Sequence, residues 1–272
     1  MAIHLGASGF SYEDWRGPFY PARLPKPKML EYYARVFAAV EINATFYRLP
    51  PPATMERMAE RVPSGFVFTA KLPQDLTHRG EPPADIAAAF RRCVAPLRER
   101  GMLGAVLAQF PGSFRPAPAS RDRLRSLVEE LGDLNLAVEF RHADWAAEEH
   151  FALLRSLGLG YCCVDEPDLP GLMPPLCRAI STVGYLRFHG RNAARWWNHE
   201  QAYQRYDYLY SAAELAPWAD RIRDLAQRTE ATHVYFNNHY QGQAAENARM
   251  LAGLLNLTLP APPQELQPSL PF

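Results

Sequence analysis

Short apolar runs alternate with amphipathic stretches along almost the whole chain. The runs start about 33 residues apart on average, which is enough for one strand and one helix that returns to the start of the next strand. Eight such units in about 260 residues predict a TIM barrel, an α/β fold in which helices surround eight parallel strands. A doubly wound open parallel sheet is the alternative fold. The eight runs begin near Ile3, Ala39, Phe66, Ala105, Leu136, Leu159, Val183 and His233.

Four stretches between these runs have the periodicity of amphipathic helices. One of them follows a capping box formed by Ser211 and Glu214, which predicts where that helix begins. The sixth unit is expected to be irregular, because residues 166–175 include four prolines. A long aromatic-rich insertion, residues 191–210, is expected after the seventh strand. The apolar stripes are Ile86, Phe90, Val94 and Leu97; Leu124, Leu127, Val128 and Leu131; Leu215, Trp218, Ile222 and Leu225; and Ala244, Ala248, Leu251 and Leu255.

Alternation within the predicted strands separates two faces. In residues 136–141 the large apolar side chains share one parity, whereas Glu139 and Arg141 share the other. We expect the polar parity to face the barrel axis and to meet at the carboxyl ends of the strands, where the active sites of TIM barrels lie. The residues assigned to this pocket are Glu41, Lys71, Glu139, Arg141, Asp165, Arg187, His189 and Asn237.

Charge and cysteine content narrow the range of functions. The chain has 29 basic and 29 acidic residues and no net charge, so it is not expected to coat nucleic acid through bulk charge. Cys93, Cys162, Cys163 and Cys177 form no Cys-x-x-Cys pair, so no zinc-ribbon or thioredoxin-type motif is expected. Cys162 and Cys163 are adjacent within an apolar run, which is typical of buried, reduced thiols. The N-terminus does not have the pattern of a signal peptide, and no apolar run of about 18 residues predicts a membrane span. We therefore expect a cytoplasmic protein.

Several long motifs occur in one order along the chain. It resembles the YecE-like family, also called domain of unknown function 72, over about residues 3–256. The resemblance implies a TIM barrel of unknown activity. The motifs are Gly6-Ala-Ser8-Gly9 with Tyr12 and Trp15; Glu41-Ile-Asn43 followed by Phe46-Tyr47-Arg48; Phe68-x-x-Lys71 with His78; Gln109-Phe-Pro111; Glu139-Phe-Arg141-His142; Arg187-Phe-His189-Gly190-Arg191; and Phe236-Asn237-Asn238 followed by Gly242.

The predicted pocket favours acid–base chemistry on an anionic substrate. Arg141 and Arg187 suit a phosphate or carboxylate group, because a guanidinium can bind it through two parallel hydrogen bonds. His189 is the natural proton shuttle, since its ordinary pKa lies near neutrality. The leading interpretation is a hydrolase or lyase that acts on a phosphate-bearing substrate, a nucleotide or damaged nucleic acid. The catalytic candidates are His189, Glu139, Glu41 and Lys71, and the further binding candidates are Asn43, Asn237, Asn238, Gln109, Tyr12 and Trp15.

Three other interpretations remain open. The first is a binding module for nucleic acid or a phosphorylated ligand, because arginines are interleaved with aromatic residues in the segment 191–210. The second is a sugar isomerase or a glycosidase that uses Glu41 and Glu139. The third is a divalent metal site, since Glu139, Asp165 and His189 resemble part of the ligand set of the xylose-isomerase-like barrels. The nearby cations and the amides that end strand eight argue against a metal, so no cofactor is expected.

A proline-rich segment, 260–272, follows the predicted barrel domain of residues 1–259. Its composition predicts an extended tail. The end of this tail resembles the short peptide by which bacterial DNA-metabolism proteins bind the replication sliding clamp. In that interpretation Gln267 bonds to the pocket edge, and Leu270 and Phe272 enter an apolar groove. The alternative is that the tail packs on its own barrel.

Overall fold

Eight parallel strands pair in chain order and close into a barrel, with β8 returning to β1. The fold is seen in a computed structural model, which describes residues 2–80 and 82–260. The predicted TIM barrel is thereby confirmed, and the open sheet is not the fold. The strands are β1 (Ala2–Ser8), β2 (Ala39–Ile42), β3 (Val67–Lys71), β4 (Leu103–Gln109), β5 (Leu136–Glu139), β6 (Gly160–Asp165), β7 (Val183–Phe188) and β8 (Ala231–Phe236).

The helices connect the strands and cover the barrel with their apolar stripes. The four predicted stripes lie on α5, α6, α10 and α11, and most of their residues are buried. The helices are α1 (Met29–Tyr33), α2 (Ala44–Tyr47), α3 (Pro52–Ala59), α4 (Gln74–Thr77), α5 (Ile86–Glu99), α6 (Pro118–Leu131), α7 (Glu148–Ser156), α8 (Ala193–Trp196), α9 (Ala202–Arg205), α10 (Ala212–Gln227) and α11 (Gln243–Leu255), with short 3-10 turns at Glu13–Trp15, Lys26–Lys28, Ala143–Ala146 and Tyr240–Gly242.

Two connections depart from the regular pattern, both where the sequence predicts it. The segment 166–182 between β6 and β7 contains no helix, and its buried Met173 packs in the hydrophobic core. The insertion after β7 contains only the short α8 and α9 before α10 begins.

Residues 261–272 lie outside the described part of the chain, and the clamp-binding interpretation of Gln267, Leu270 and Phe272 lies outside it with them. Within residues 2–80 and 82–260, no helix has the length and apolar character needed to cross a bilayer.

The strand register decides which residues meet inside the barrel. Residues paired between neighbouring strands point to the same face of a sheet, so one inward residue assigns its partners. Glu41 pairs with Thr69, and Gln109 pairs with Glu139. Arg187 pairs with Tyr235 on one side and with Val164 on the other. The inward set is therefore polar at the carboxyl ends of most strands, where it forms the site described below.

The capping box at the start of α10 is formed as predicted. Ser211 Oγ accepts the backbone N–H of Glu214 at 3.3 Å, and the Glu214 carboxylate accepts the N–H of Ser211 at 2.9 Å. We expect Ser211→Ala to lower the free energy of unfolding by about 1 kcal/mol, because it leaves one N–H of the first turn without its partner. Urea denaturation measures the loss. Ser126→Ala, within α6, is the control and is expected to leave stability unchanged or raise it.

Candidate functional site

A polar cavity of about 290 Å³ lies at the carboxyl end of the barrel. Six of the twelve residues that line it lie within two positions of the last residue of a strand, as expected for a site of this fold. The lining residues are Tyr12, Asn43, Phe46, Tyr47, Lys71, Gln109, Arg141, Arg187, Ala202, Tyr206, Asn237 and His239.

Beneath the cavity lies a buried network that we call the floor: Ser8, Glu41, Glu139, Tyr185 and Arg187. Arg187 donates to Glu41 at 2.8 Å and to Glu139 at 2.7 Å, so one guanidinium bridges two carboxylates. Ser8 and Tyr185 donate to Glu41 at 2.7 Å and 2.6 Å. Buried charges are tolerated when they are paired and hydrogen-bonded in this way. The floor fixes Arg187 and holds both carboxylates below the cavity surface.

Arg141 connects the floor to the cavity. Its Nε lies 2.5 Å from Glu139 Oε1, and its Nη1 lies 3.4 Å from Glu166 Oε2. Its side chain is 14% exposed, whereas that of Arg187 is 3% exposed. Arg141 is therefore the guanidinium that a ligand in the cavity can reach.

The floor carboxylate Glu139 is ionised at neutral pH. Burial alone would raise its pKa, but the charges of Arg141 and Arg187 outweigh burial and hold the pKa well below its usual range. Glu166 behaves differently, because burial outweighs the charge of Arg141 and raises its pKa to about 7. Two neighbouring carboxylates thus titrate in separate pH ranges.

Lys71 is a cavity-lining residue whose amine titrates near neutral pH. Its Nζ donates to Gln109 Oε1 at 2.7 Å and lies 3.8 Å from the centre of the Phe46 ring. Among the described residues, no carboxylate lies within 4.0 Å of this amine. Burial, and next the positive charge of Arg187, lower the pKa of Lys71 to about 7. At neutral pH a large share of its amine is therefore uncharged.

His189 lies beneath the cavity lining, fully buried. Its Nε2 lies 3.3 Å from Glu139 Oε1, and its Nδ1 lies 3.2 Å from the Asn237 amide nitrogen. Burial, and next the charge of Arg141, lower the pKa of His189 to about 3. The ring is therefore neutral at physiological pH and packs against Glu139.

Asp165 does not join the pocket, and that prediction is wrong. Because inward-facing Arg187 pairs with Val164, the neighbouring Asp165 points outward. Its carboxylate there accepts hydrogen bonds from Trp218 Nε1 and the Tyr210 hydroxyl, each at 2.6 Å, and from Arg191. The alternative metal set of Glu139, Asp165 and His189 is therefore not assembled. Within the described ranges, no group of three or more His, Cys, Asp or Glu side chains is placed to hold a metal ion.

Two predicted binding residues support the walls instead of lining the cavity. Asn238 is buried and donates to the Tyr208 carbonyl and to Asn247 Oδ1, each at 2.8 Å. Trp15 is also buried, and its Nε1 donates to the His239 carbonyl at 2.5 Å. Both side chains therefore hold loops at the cavity edge in place.

His239 and Glu166 also belong to the site, although the sequence did not single them out. His239 lines the cavity, two residues after Asn237, and Glu166 contacts Arg141. The alternation that assigns Asn237 to the pocket could also have indicated His239. Within the described chain, the buried Oδ1 of Asn43 and Nδ1 of His239 have no hydrogen-bond partner.

The closed barrel and its polar mouth place this chain among TIM-barrel proteins with a candidate site in the standard position. The family model "Protein of unknown function DUF72" matches residues 4–270, so the chain belongs to the DUF72 family. This confirms the resemblance found in the motifs.

The similarity to known relatives covers nearly the whole chain in one case and a little over half of it in another. It is 31% identical over 271 residues to UPF0759 protein YunF of Bacillus subtilis, an alignment that covers 94% of this chain and 95% of YunF. It is 36% identical over 161 residues to UPF0759 protein YecE of Escherichia coli K12, covering 57% of this chain and 55% of YecE. A DUF72 family protein from Thermotoga maritima, known from a crystal structure, is 40% identical in sequence to this chain. The two structures superpose with a TM-score of 0.88, and the match covers 94% of this chain and 100% of the other.

Proposed function

We propose that this protein is a hydrolase or lyase that binds a phosphate-bearing substrate in the cavity at the barrel mouth. One observation carries the proposal. The described cavity lining includes three cations, Lys71, Arg141 and Arg187, and no carboxylate. The balancing carboxylates Glu41 and Glu139 are fully buried beneath it. A ligand that enters the cavity therefore meets positive charge and amide groups.

Phosphate fits this lining better than a neutral ligand does. The accessible Arg141 offers a planar donor pair, and Lys71, in its protonated form, adds a point charge on another strand. Asn43, Gln109 and Asn237 add amide groups around the same space. Preorganised donors in a site sheltered from water stabilise negative charge more strongly than water-exposed donors do.

Lys71 is the best placed group for proton transfer. An acid–base catalyst works best when its pKa lies near the working pH. Lys71 meets this condition with a pKa of about 7 and lines the cavity. His189 has a pKa of about 3 and lies below the lining, so it suits the positioning of Glu139.

The geometry does not fit a glycosidase pair. Glu41 and Glu139 are both bound by Arg187, and neither lines the cavity. A glycosidase needs one protonated carboxylic acid at the scissile bond, with a raised pKa. Glu139 has a pKa held well below its usual range, so it cannot serve as that acid at neutral pH.

A binding module without turnover is the second candidate, and exposed rings near the mouth favour it. Tyr47 is 76% exposed and Trp197 is 64% exposed, unusual values for large aromatic side chains. The Arg205 guanidinium lies 5.7 Å from the Trp197 ring centre. Aromatic rings with nearby arginines are suited to stacking on the bases of single-stranded nucleic acid.

Replacing Arg141 tests phosphate recognition. We expect Arg141→Gln to weaken the binding of AMP by about tenfold or more, equivalent to at least about 1.4 kcal/mol, because it removes the accessible guanidinium. Titration calorimetry with AMP, and with adenosine as the uncharged counterpart, measures the effect. Arg228→Gln is the matched control, since its side chain is 66% exposed on the surface. Equal affinity of the wild type for AMP and adenosine would contradict the proposal.

Turnover separates the enzyme from the binding module. Wild-type protein is incubated with AMP, with sugar phosphates and with single-stranded oligonucleotides, and the products are followed by phosphorus NMR. Release of inorganic phosphate or of a cleaved fragment supports the enzyme. Saturable binding of an oligonucleotide without any product supports the module.

A further inference from the structure

We infer that Lys71 forms a Schiff base with a phosphorylated aldehyde or ketone. This inference deepens the proposed function and rests on it for the phosphate contact. It names the substrate class as a small phosphorylated carbonyl compound, such as a sugar phosphate in its open-chain form. It also favours the lyase among the two proposed reaction classes.

The surroundings of the Lys71 amine carry the inference. The amine lines the cavity and donates to the neutral Gln109 amide. Its other neighbour is the face of the Phe46 ring. A structural lysine in a charged site is normally held by a carboxylate. Within the described residues, Lys71 has no such partner within 4.0 Å, although two carboxylates lie in the floor below.

Charged groups on several strands act on this amine. Burial and the charges of Arg187 and Arg141 favour its neutral form, whereas Glu139 and Glu41 favour the protonated form. Burial is the largest of these effects, and the resulting pKa is about 7. Desolvation beside another cation is an established way to activate a lysine as a nucleophile.

The reaction balances without a cofactor. The lone pair of the neutral Lys71 amine forms a bond to the carbonyl carbon, and the C=O π pair moves to oxygen. A proton passes from nitrogen to that oxygen and gives a carbinolamine. The carbinolamine takes one proton from solvent and loses water, while the nitrogen lone pair forms the protonated imine. Arg141 is placed to hold the phosphate group of the substrate.

The size of the cavity favours a small substrate. Its volume of about 290 Å³ lies at the lower end of ligand sites, which range over about 300–1,000 Å³. An open-chain sugar phosphate has its carbonyl and its phosphate at different ends. It could therefore contact Lys71 and Arg141 together, since both line the one cavity.

Reductive trapping tests the inference directly. Wild-type protein at pH 7.5 is incubated with glyceraldehyde 3-phosphate or 2-deoxyribose 5-phosphate, and the imine is reduced with cyanoborohydride to a stable secondary amine. Intact mass and peptide mapping locate the adduct. The chain has only three lysines, Lys26, Lys28 and Lys71, so peptide mapping can assign each lysine adduct and distinguish it from one at the N-terminal amine. Lys26 and Lys28 have side chains that are 62% and 59% exposed and serve as internal references.

We expect labelling at Lys71 to exceed that at Lys28 by at least about tenfold, because only roughly one ordinary lysine in 800 is uncharged at pH 7.5. Lys71→Arg should lose the adduct and keep a cation, whereas Lys28→Arg should leave it unchanged. Equal labelling of all three lysines would overturn the inference. Trapping of an abasic-site oligonucleotide alone would overturn the small-molecule assignment.

The outcomes also separate this inference from the proposed function. If the wild type binds AMP through Arg141 but yields no adduct at Lys71, the Schiff base is wrong and phosphate recognition stands. If glyceraldehyde labels Lys71 as fast as its phosphate does, the amine chemistry stands and phosphate recognition is wrong. Support for both requires faster labelling by the phosphorylated compound and competition by inorganic phosphate.

Discussion

Arg187→Met lowers the free energy of unfolding by about 3–5 kcal/mol, the loss typical when one partner of a buried ion pair is removed. Arg187 is the guanidinium that pairs with both Glu41 and Glu139. After the substitution Glu139 still contacts Arg141, whereas Glu41 keeps only the hydroxyls of Ser8 and Tyr185. Guanidinium-induced unfolding, followed by far-UV circular dichroism, measures the change.

Two further variants show whether the loss of stability in Arg187→Met comes from the unpaired charge of Glu41. Arg228→Met, at a surface position, should change stability by no more than about 0.5 kcal/mol. The double variant Arg187→Met with Glu41→Gln should recover part of the loss, because it removes the uncompensated carboxylate. Losses that simply add in the double variant would show that Arg187 and Glu41 are not coupled.

Lys71→Met should stabilise the fold by about 1–3 kcal/mol at pH 6, even though it removes a candidate catalytic group, because each unit of pKa shift corresponds to about 1.4 kcal/mol. The folded protein holds Lys71 at a pKa of about 7, whereas the unfolded chain restores the ordinary value. Below pH 7 both states carry the proton, and the folded state has the full cost of burying it. The lost hydrogen bond to Gln109 offsets part of the gain.

The sign of the pH dependence follows from this shift. Between pH 7 and about 10.4 the unfolded state binds more protons at Lys71 than the folded state, so wild-type stability rises with pH. The advantage of Lys71→Met should therefore be greatest at pH 6 and shrink by pH 9.5. Denaturation at both pH values, with Lys28→Met as the exposed control, provides the measurement. A constant difference across this range would contradict the lowered pKa.

The architecture could be predicted from sequence because it depends on spacing and periodicity. Eight apolar runs, about 33 residues apart on average and with helical stripes between several of them, fit few folds other than a barrel of alternating strands and helices. The sequence also predicts a local departure from this pattern. The prolines of residues 166–175 remove N–H donors that a helix needs, and the connection between β6 and β7 contains no helix.

The sixth strand shows where alternation fails. Tyr161, Cys162, Cys163 and Val164 are all buried, so the polarity of this strand does not distinguish its inner face from its outer face. Alternation alone therefore assigns Asp165, at the end of this strand, to the barrel axis. The register, which pairs Val164 with Arg187, assigns that position to the outer face instead. Register depends on contacts between distant strands, and local sequence does not encode it.

The depth at which each inward-facing side chain is buried could likewise not be predicted from the sequence. Alternation correctly places both Lys71 and His189 on the inner face, but it does not show that His189 lies under the cavity lining while Lys71 is part of it. That difference in depth changes which group titrates near neutral pH. The candidate residues can therefore be predicted from the sequence, but which of them carries the proton depends on the three-dimensional structure.

The floor connects parts of the chain that are far apart. Its hydrogen bonds join residues separated by 33, 48, 146 and 179 positions. Bringing such distant segments together costs chain entropy before any of these bonds forms. A chain in which only β1 to β4 had assembled would hold Glu41 without its arginine. The carboxylates Glu41 and Glu139 therefore have their shared arginine only when β7 is in place, so a charge-balanced floor requires strands from both halves of the barrel.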